Sequence, residues 1–446
     1  MVTDLDSALD ALLHFSGRRS RGHISVDTLR ALLDHVGNPE RHFRMIHVAG
    51  TSGKTSTAYL IRGLLEAAGH RTGLTVSPHI VAVNERVQVA GVPVEEDRFV
   101  AYVNDFLPRA ESLERELTYF ELGVGLALWV FAQENVEYAI VEVGIGGLRD
   151  ATNALQDPDK LCVVGPVGLD HTDILGDSVD AIAVQKAGIV GPGNTVVVID
   201  QDEVVLEVVR EHAREAGGSV VVAAHPEGAR YQERNLALAR AAVGVLGSRY
   251  GFDVPEIDGA AHTPPGRYER FRHDERVLIL DGAHNPQKMA GLVETLEADG
   301  LTHVAVLATL LQSPESKLSA TLSVLAPLVS HLIVPEYALG AGEKVKRSFP
   351  ADVVVEQARL LGLEAQAVRT PAEGLELLLA RPEQHLVVTG SLYLASLARP
   401  LVVQRWGSSL GTRAEIGACL TPSRPSANCS PSAYRLVGPR SSASTG

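Results

Sequence analysis

The chain has little of what would place it outside the cell or in a membrane. Only three of its 446 residues are cysteines, Cys162, Cys419 and Cys429, and they form neither a C-x-x-C pair nor a disulfide framework. The start of the chain is acidic where a secretory signal would be basic. No apolar run reaches the length of a membrane span, and the longest, residues 122–132, predicts a buried core helix. We therefore expect a cytoplasmic protein without a membrane partner.

Positive charge is also scarce. The 40 Lys and Arg residues against 54 Asp and Glu residues give a net charge of 40 − 54 = −14, whereas nucleic-acid binding depends on clustered cations. We therefore expect no nucleic-acid partner. A chain of this length with 45% hydrophobic residues is large enough for two or three domains. If it handles anions, the few cations must be concentrated locally, and the candidates are Lys54, Arg86, Lys186 and Arg267.

A phosphate-binding loop is the strongest local signal. The sequence HVAGTSGKTST at residues 47–57 joins an apolar strand pattern at 44–49 to a helical pattern at 58–65. The first N–H groups of a helix are unsatisfied and carry partial positive charge, which suits phosphate. The candidate ATP contacts are Gly50, Thr51, Ser52, Gly53, Lys54, Thr55 and Ser56. Lys54 would reach the outer phosphates and the Thr55 hydroxyl would ligate Mg²⁺, although the general pattern wants glycine where Val48 stands, and a glycine-rich turn that caps a helix is the alternative.

Further motifs follow the loop in a fixed order. They are Ser77-Pro78-His79, Asn84-Glu85-Arg86, Glu142-Val143-Gly144-Ile145-Gly146-Gly147, Asp150-Ala151-Thr152-Asn153, Gly168-Leu169-Asp170-His171-Thr172, Lys186-Ala187-Gly188-Ile189, Pro265-Gly266-Arg267 and Asp281-Gly282-Ala283-His284-Asn285-Pro286. The loop resembles the shorter version found in the Mur ligase superfamily. The whole series, from about Leu5 to Pro400, resembles the folylpolyglutamate synthase/dihydrofolate synthase family.

The resemblance implies a reaction. ATP phosphorylates a substrate carboxylate, and the amine of L-glutamate attacks the acyl phosphate to give an amide, ADP and phosphate. The acid would be dihydropteroate or the γ-carboxylate of a folate. Such chemistry needs charge neutralisation and alignment more than a protein nucleophile. The implied cofactors are ATP and Mg²⁺, and we expect a monomer.

The resemblance also implies roles for individual residues. The implied catalytic residues are Lys54, His171 and Lys186, and the implied metal ligands are Thr55, Ser77, Glu142 and His171. ATP would also be contacted by Asn235, Arg267, Asp281 and His284. The substrate group is Ser77, Pro78, His79, Phe120, Glu121, Asp150, Thr152 and Asn153.

Some of these roles have a reason or a rival in the residues themselves. Glu142 ends an apolar strand, where a carboxylate is costly unless it is paired. Glu121 lies three residues after Thr118, so a helix capping box competes with the role of Glu121 and Phe120 at the pterin. Lysines at the place of Lys186 are often carbamylated in this superfamily, and an unmodified lysine is the alternative.

The predicted fold is α/β: a P-loop nucleotide-binding domain with a mostly parallel sheet, then a smaller doubly wound Rossmann-like α/β domain. We assign residues 1–262 to ATP and pterin or folate binding and residues 266–405 to a glutamate-ligase-type domain, with a proline-bearing linker at 255–265. Residues 84–89 are predicted as a hairpin strand, residues 17–22 as a basic turn that is either solvated or anion-binding, and residues 411–446 as a disordered tail.

Three departures from the family pattern leave the substrate pair open. Leu148 and Arg149 stand in swapped order, residues 312–317 replace an Asp-Lys-Asp so that only Lys317 is left to substitute, and residues 336–344 replace a Pro-Arg motif. A ligase for a different acid or amine is therefore the first alternative. A nucleotide-binding regulator without ligase activity is the second, and the retained Glu142, His171 and Lys186 argue against it.

Overall fold

The computed structural model describes residues 1–15, 26–339 and 345–409. These residues form two compact units, Met1–His262 and a second unit that begins at Thr263. The basic turn predicted at 17–22, residues 340–344 of the third departure and the tail predicted at 411–446 lie outside the described residues. Within the described part of the chain, no helix is long and apolar enough to cross a membrane.

The first unit is an α/β fold. Its strands are β1 Arg44–Ala49, β2 Thr72–Thr75, β3 Gln88–Val89, β4 Val92–Pro93, β5 Tyr138–Glu142, β6 Leu161–Val164, β7 Thr195–Ile199 and β8 Ser219–Ala223. Its α-helices are α1 Leu5–Leu13, α2 Val26–His35, α3 Lys54–Ala67, α4 Glu96–Glu111, α5 Tyr119–Gln133, α6 Thr172–Leu175, α7 Val179–Ala187, α8 Glu203–Glu215 and α9 Tyr231–Tyr250. Short 3-10 helices span Pro39–His42, Val83–Arg86, Ala151–Ala154 and Gly259–His262.

The strands of the first unit form one sheet of order β4-β3-β2-β5-β1-β6-β7-β8. In this spatial order all pairs from β2 to β8 are parallel. β3 and β4 lie at the edge next to β2, and the pairs β2–β3 and β3–β4 are antiparallel. The central strands β1, β5 and β6 are apolar almost throughout because helices cover both faces of the sheet. Their carboxyl ends meet at one edge, where the phosphate loop follows β1.

One local prediction in this unit holds in part and another is confirmed. Of residues 84–89, predicted as a hairpin strand, only Gln88–Val89 form one, paired antiparallel with β4, whereas Val83–Arg86 is a 3-10 helix. The Glu85 carboxylate accepts from the N–H groups of Ile80, Val81 and Ala82, which stabilises a turn. The capping box of α5 is present, with Thr118 as N-cap and Glu121 as its partner.

The second unit is the doubly wound α/β fold predicted from the sequence. Its strands are β9 Glu269–His273, β10 Arg276–Leu280, β11 Val304–Ala308, β12 Val329–Pro335, β13 Ala338–Leu339, β14 Lys346–Arg347, β15 Ala365–Val368 and β16 His385–Thr389. Its α-helices are α10 Pro286–Ala298, α11 Glu315–Leu325, α12 Ala351–Leu360, α13 Pro371–Leu379 and α14 Leu392–Trp406, with a 3-10 helix at Ala326–Leu328.

The main sheet of the second unit has the order β15-β12-β11-β16-β10-β9. All pairs are parallel except β9 with β10, and β13 and β14 form a separate hairpin. Neither β9 nor α14 was predicted from the sequence. Apolar side chains from β10, β11, β16 and α14 form the core of this unit.

Candidate functional site

The phosphate loop is anchored on both sides. Gly165 N–H donates to Ala49 O at 2.9 Å and Thr51 N–H donates to Pro166 O at 2.8 Å, so the loop after β6 supports the loop after β1. Gly53, the N-cap of α3, has a φ of 75°, a left-handed conformation that glycine adopts without strain. A Cβ on Gly53 would collide with the side-chain amide of Asn235. Asn235 on α9, a predicted ATP contact, therefore lies against the loop.

The cationic end of the loop is open to solvent on one side. Residues 52–56 are all partly exposed, although they begin a helix whose body is buried. Lys54 Nζ donates to Gly50 O at 2.9 Å, so its ammonium lies over its own loop. The loop thus presents the first N–H groups of α3 and an ammonium at one place, which is the arrangement that phosphate needs.

Glu142 joins two of the predicted metal ligands. Thr55 Oγ1 donates to Glu142 Oε1 at 2.9 Å, and Ser77 N–H donates to Glu142 Oε2 at 3.1 Å. The carboxylate is buried at 4% exposure. A hydroxyl and one carboxylate beside a phosphate loop fit Mg²⁺, which takes few protein oxygens and completes its shell with phosphate and water.

His171 is placed differently. It lies on the exposed loop after β6, with a φ of 49°, immediately before α6. Within the described ranges there is no group of three or more His, Cys, Asp and Glu residues that would hold a metal by itself. The metal role of His171 stays a prediction.

Three residues of the predicted substrate group shape the backbone after β5. Asp150 Oδ2 accepts from Ile145 N–H at 2.8 Å, and Asp150 Oδ1 accepts from Thr152 N–H at 3.0 Å and Thr152 Oγ1 at 2.6 Å. Burial raises the pKa of Asp150, and the hydrogen bonds from Thr152 and Ile145 oppose that rise. Asn153 Nδ2 donates to Leu148 O and Gly188 O, both at 3.0 Å.

Phe120 and Lys186 border the same turn. A Cβ on Gly144 would lie 2.6 Å from Phe120 Cζ, so the ring covers this glycine. Lys186 is buried in the last turn of α7, and a Cβ on Gly147 would lie 3.2 Å from its Cα. Leu148 and Arg149 are both exposed, so the swapped order is accommodated on the solvent side of the turn.

The other residues of the predicted substrate group take part in backbone turns and hydrogen bonds within the first unit. Ser77 and Pro78 form a cis peptide directly after β2. The buried His79 accepts at Nδ1 from Arg86 Nε at 2.9 Å, and the Arg86 guanidinium lies 4.9 Å from the centre of the Tyr119 ring. Glu121 Oε2 accepts from Thr118 N–H at 2.7 Å, which is the capping interaction.

The second unit brings Arg267, Asp281 and His284 together at the carboxyl end of β10. Asp281 accepts from Tyr268 N–H and Ala283 N–H, both at 2.8 Å. Burial raises the pKa of Asp281, and Arg267 opposes that rise. His284 Nδ1–H donates to Gly282 O at 2.7 Å and its Nε2 accepts from Lys288 Nζ at 3.2 Å, which defines a neutral imidazole.

Sequence reasoning missed a buried ion pair beneath Arg267. Arg399 on α14 donates to both carboxylate oxygens of Glu269 at 2.9 to 3.1 Å, and Gly266 N–H donates to Glu269 Oε2 at 3.0 Å. Both side chains are almost fully buried. A Glu two residues after Arg267 and an Arg inside an apolar helix were the available signals.

Sequence reasoning also missed polar groups at the ends of β11 and β16. Ser391 is the N-cap of α14 and shares a 2.5 Å hydrogen bond with the Tyr337 hydroxyl. The buried Thr309 hydroxyl has no hydrogen-bond partner among the residues that the structure describes. The signal was Thr389-Gly390-Ser391, a strand end followed by glycine and a helix-capping serine.

The relatives of the chain share this architecture. Residues 48–250 match the model of the Mur ligase middle domain, and residues 266–392 match that of the Mur ligase, glutamate ligase domain. The dihydrofolate synthase/folylpolyglutamate synthase of Mycobacterium tuberculosis is 32% identical over 388 residues, which cover 72% of this chain and 78% of that protein. The folylpolyglutamate synthase of Lacticaseibacillus casei is 30% identical over 412 residues, which cover 82% and 92%.

Solved structures agree with these matches. The structure of Mycobacterium tuberculosis folylpolyglutamate synthase complexed with ADP has a TM-score of 0.74 and 27% identity, and the match covers 88% of this chain and 98% of that one. The same enzyme complexed with ADP and AMPPCP has a TM-score of 0.73 and 26% identity, with the same coverage. The order of motifs, the two α/β units and these relatives lead to one conclusion: the chain belongs to the folylpolyglutamate synthase/dihydrofolate synthase family of ATP-dependent Mur ligases.

Proposed function

We propose that the chain adds L-glutamate to dihydropteroate, to the γ-carboxylate of a folate, or to both, through an acyl phosphate. The observation that carries the proposal is the hydrogen bond from Thr55 Oγ1 to Glu142 Oε1 at the mouth of the phosphate loop. A hydroxyl and a buried carboxylate beside a phosphate loop are the groups that would hold Mg²⁺ against the outer phosphates of ATP in phosphoryl transfer, which supports the proposal. The relatives crystallised with ADP and AMPPCP support the same nucleotide.

The residues would divide the chemistry as follows. Mg²⁺, held by Thr55 and Glu142, would supply positive charge to the phosphates. The N–H groups at the start of α3 and the Lys54 ammonium would bind the phosphates and neutralise charge that builds up during transfer. The substrate carboxylate oxygen attacks the γ-phosphorus and ADP leaves. The amine of glutamate then attacks the acyl carbon, phosphate leaves, and the amine loses a proton.

The turn after β5 would bind the acid. Phe120 covers Gly144, two residues after Glu142 and beside the Asp150 carboxylate, so an aromatic ring borders the turn. We assign ATP and acid binding to residues 1–262 and glutamate binding to residues 266–405. Carbamylation of Lys186, the metal role of His171 and a monomeric state belong to the same proposal.

The test is product analysis with the purified full chain. ATP, Mg²⁺ and L-glutamate are incubated with dihydropteroate, with tetrahydrofolate or with no acid, and phosphate and product masses are measured. D-glutamate and the Lys54→Ala variant are the matched controls. We expect one added glutamyl unit on at least one acid, and only with L-glutamate and intact Lys54. Phosphate release without a glutamylated product would reject the substrate pair and leave a ligase for another acid or amine.

A further inference from the structure

His47 is a polar side chain in the middle of the central strand. It lies on β1 between Val141 of β5 and Cys162 of β6, and none of its surface is exposed. Its neighbours two positions away on the same face of the strand, Met45 and Ala49, both belong to apolar clusters. A polar group in such surroundings is costly unless it is hydrogen-bonded. What His47 does in the fold therefore depends on the group to which it is hydrogen-bonded.

The partner is Thr152. His47 Nε2 lies 2.8 Å from Thr152 Oγ1, and Thr152 Oγ1 donates its one hydrogen to Asp150 Oδ1 at 2.6 Å. The threonine oxygen must then accept, so His47 Nε2 carries a hydrogen. The buried His47 Nδ1 has no hydrogen-bond partner within the described residues. The imidazole is therefore a neutral donor of fixed tautomer.

The charged groups around the imidazole agree with this state. Cys162 is the neighbour of His47 on β6, the buried Lys160 directly precedes β6 and donates to Leu155 O, and Asp150 lies beyond Thr152. Burial, and secondarily the nearby Lys160, lower the pKa of His47 well below its ordinary value. Burial lowers the pKa of Lys160 as well and raises that of Cys162 to about 11.

The hydrogen bonds run from His47 to the turn that follows the candidate metal ligand Glu142. Asp150 uses its second oxygen to hold Ile145 N–H at 2.8 Å. Ile145 lies three residues after Glu142, whose carboxylate receives the Thr55 hydroxyl. His47 itself precedes the phosphate loop on β1. A series of hydrogen bonds that meet at the Asp150 carboxylate thus connects the strand that carries the loop to the turn that follows the metal ligand.

We propose that His47 is a positioning residue, whose Nε2–H acts through Thr152 and Asp150 to hold the turn after Glu142 in the geometry that Mg²⁺–nucleotide binding needs. The inference rests on the proposed nucleotide site but not on ligase activity. Replacing groups that orient metal ligands typically costs about 10- to 100-fold in metal affinity or activity, which sets the expected size of the effect.

Two substitutions at His47 separate the hydrogen bond from packing. In His47→Gln the amide nitrogen reaches the position of Nε2 and still donates, whereas His47→Leu fills similar space without a donor. The readouts are hydrogen exchange at Ile145 N–H and the Mg²⁺ dependence of AMPPCP binding. We expect His47→Leu to lose protection at Ile145 and to raise the Mg²⁺ half-saturation by about 10- to 100-fold, and His47→Gln to stay close to the unsubstituted chain.

A second pair keeps the test decisive if His47→Leu does not fold. Thr152→Val removes the relaying hydroxyl at constant shape, and Thr152→Ser keeps it. Nitrogen-15 NMR of the imidazole gives the tautomer directly, with Nε2 protonated and Nδ1 bare. An Nδ1–H tautomer, or unchanged Ile145 protection and Mg²⁺ dependence in both the Leu and Val variants, would overturn the proposal. Absence of glutamylated product with the expected exchange pattern would overturn the proposed function alone.

Discussion

At the scale of single residues, Glu142 couples two loops through one carboxylate. Its two oxygens take the Thr55 hydroxyl and the Ser77 N–H, so the loop after β1 and the loop after β2 both depend on one buried charge. Removal of that carboxylate would cost each of the two loops one hydrogen bond.

Replacement of Lys54 by alanine tests the phosphate loop. The ammonium is the only side-chain cation on residues 47–57, so we expect Lys54→Ala to lower ATP turnover by about 10²- to 10³-fold, the usual loss for one electrostatic stabiliser. Turnover is measured as phosphate release in the presence of both substrates. Arg214→Ala, an exposed cation on α8, is the control and keeps its rate; equal rates for both variants would refute the loop assignment.

The His171 imidazole is tested without disturbing its backbone. Because its φ is 49°, His171→Gly removes the ring at a conformation that glycine adopts freely. We expect the Mg²⁺ half-saturation of turnover to rise about tenfold, equivalent to about 1.4 kcal/mol. Thermal unfolding of the variant without nucleotide shows that the fold is intact. A Mg²⁺ titration that superimposes on that of the unsubstituted chain would remove His171 from the metal site.

Burial of a neutral His47 also predicts a pH dependence of stability. Its pKa in the fold lies below the ordinary value of 6.5, so the unfolded chain binds more protons as pH falls below 6.5. The free energy of unfolding must then decrease, by at most about 1.4 kcal/mol per pH unit for one group. His47→Gln should flatten the slope between pH 6.5 and the folded pKa, as measured by urea unfolding; parallel slopes would contradict it.

The structure brings together predicted metal ligands that stand at strand ends, and their roles stay predictions. Thr55, Ser77 and Glu142 each follow or end an apolar strand, and parallel strands bring such ends together; the structure does place them in contact. His47 gave no such signal, because it lies inside an apolar strand and its partner is 105 residues away. Long-range hydrogen bonds of this kind depend on sheet register, which local sequence does not specify.

At the scale of elements, the loop before β9 is held in an unusual conformation. Gly266 and Tyr268 have φ values of 68° and 51°, and a non-glycine residue in this region is strained. Glu269 and Asp281 hold it through the N–H groups of Gly266 and Tyr268. Arg399 on α14 donates to Glu269 in turn. The backbone conformation around Arg267 therefore depends on α14.

Two ion pairs on α14 allow a matched test. Removal of one partner of a buried pair costs about 3–5 kcal/mol, whereas an exposed pair contributes about 0–1 kcal/mol. We expect Arg399→Met to lower the free energy of unfolding by the former amount. Arg405→Met, which breaks the exposed pair with Glu376, is the control.

Unfolding of the second unit is followed by Trp406 fluorescence. The chain has two tryptophans, and Trp129→Phe leaves Trp406 as the reporter on α14. The variants are compared by the denaturant concentration at the midpoint of unfolding, with the same denaturant slope for each. This midpoint does not depend on the fluorescence intensity of a variant. Equal losses for the Arg399 and Arg405 variants would show that burial of the Glu269 pair is not decisive.

Prediction of elements failed where apolar periodicity was weak or interrupted. β9 has one apolar residue, Phe271, in five, because as an edge strand it buries little. α14 contains Pro400, which argues against a helix by local rules. Residues 84–89 have strand propensity at their end only, and the Glu85 carboxylate stabilises a turn before it. A central strand buried on both faces was predicted closely: β1 has the bounds of the strand pattern at 44–49.

At the scale of the whole molecule, both units are α/β folds built on largely parallel sheets. The first unit carries the phosphate loop and Glu142 at strand ends, and the second carries Arg267, Asp281 and His284 at the carboxyl end of β10. The alternation of strands and helices predicted the fold of the second unit, and the phosphate loop between a strand and a helix predicted that of the first. Neither pattern specifies the substrate pair, which the departures around 148, 312–317 and 336–344 leave open.

The central claim, ligation through an acyl phosphate, has one direct measurement. The acid that the full chain glutamylates is labelled with oxygen-18 in its reacting carboxylate and turned over with ATP, Mg²⁺ and L-glutamate. Mass analysis of the released phosphate should then find one labelled oxygen per phosphate, because phosphate leaves with the oxygen that attacked ATP. Phosphate without the label, alongside a glutamylated product, would contradict the account.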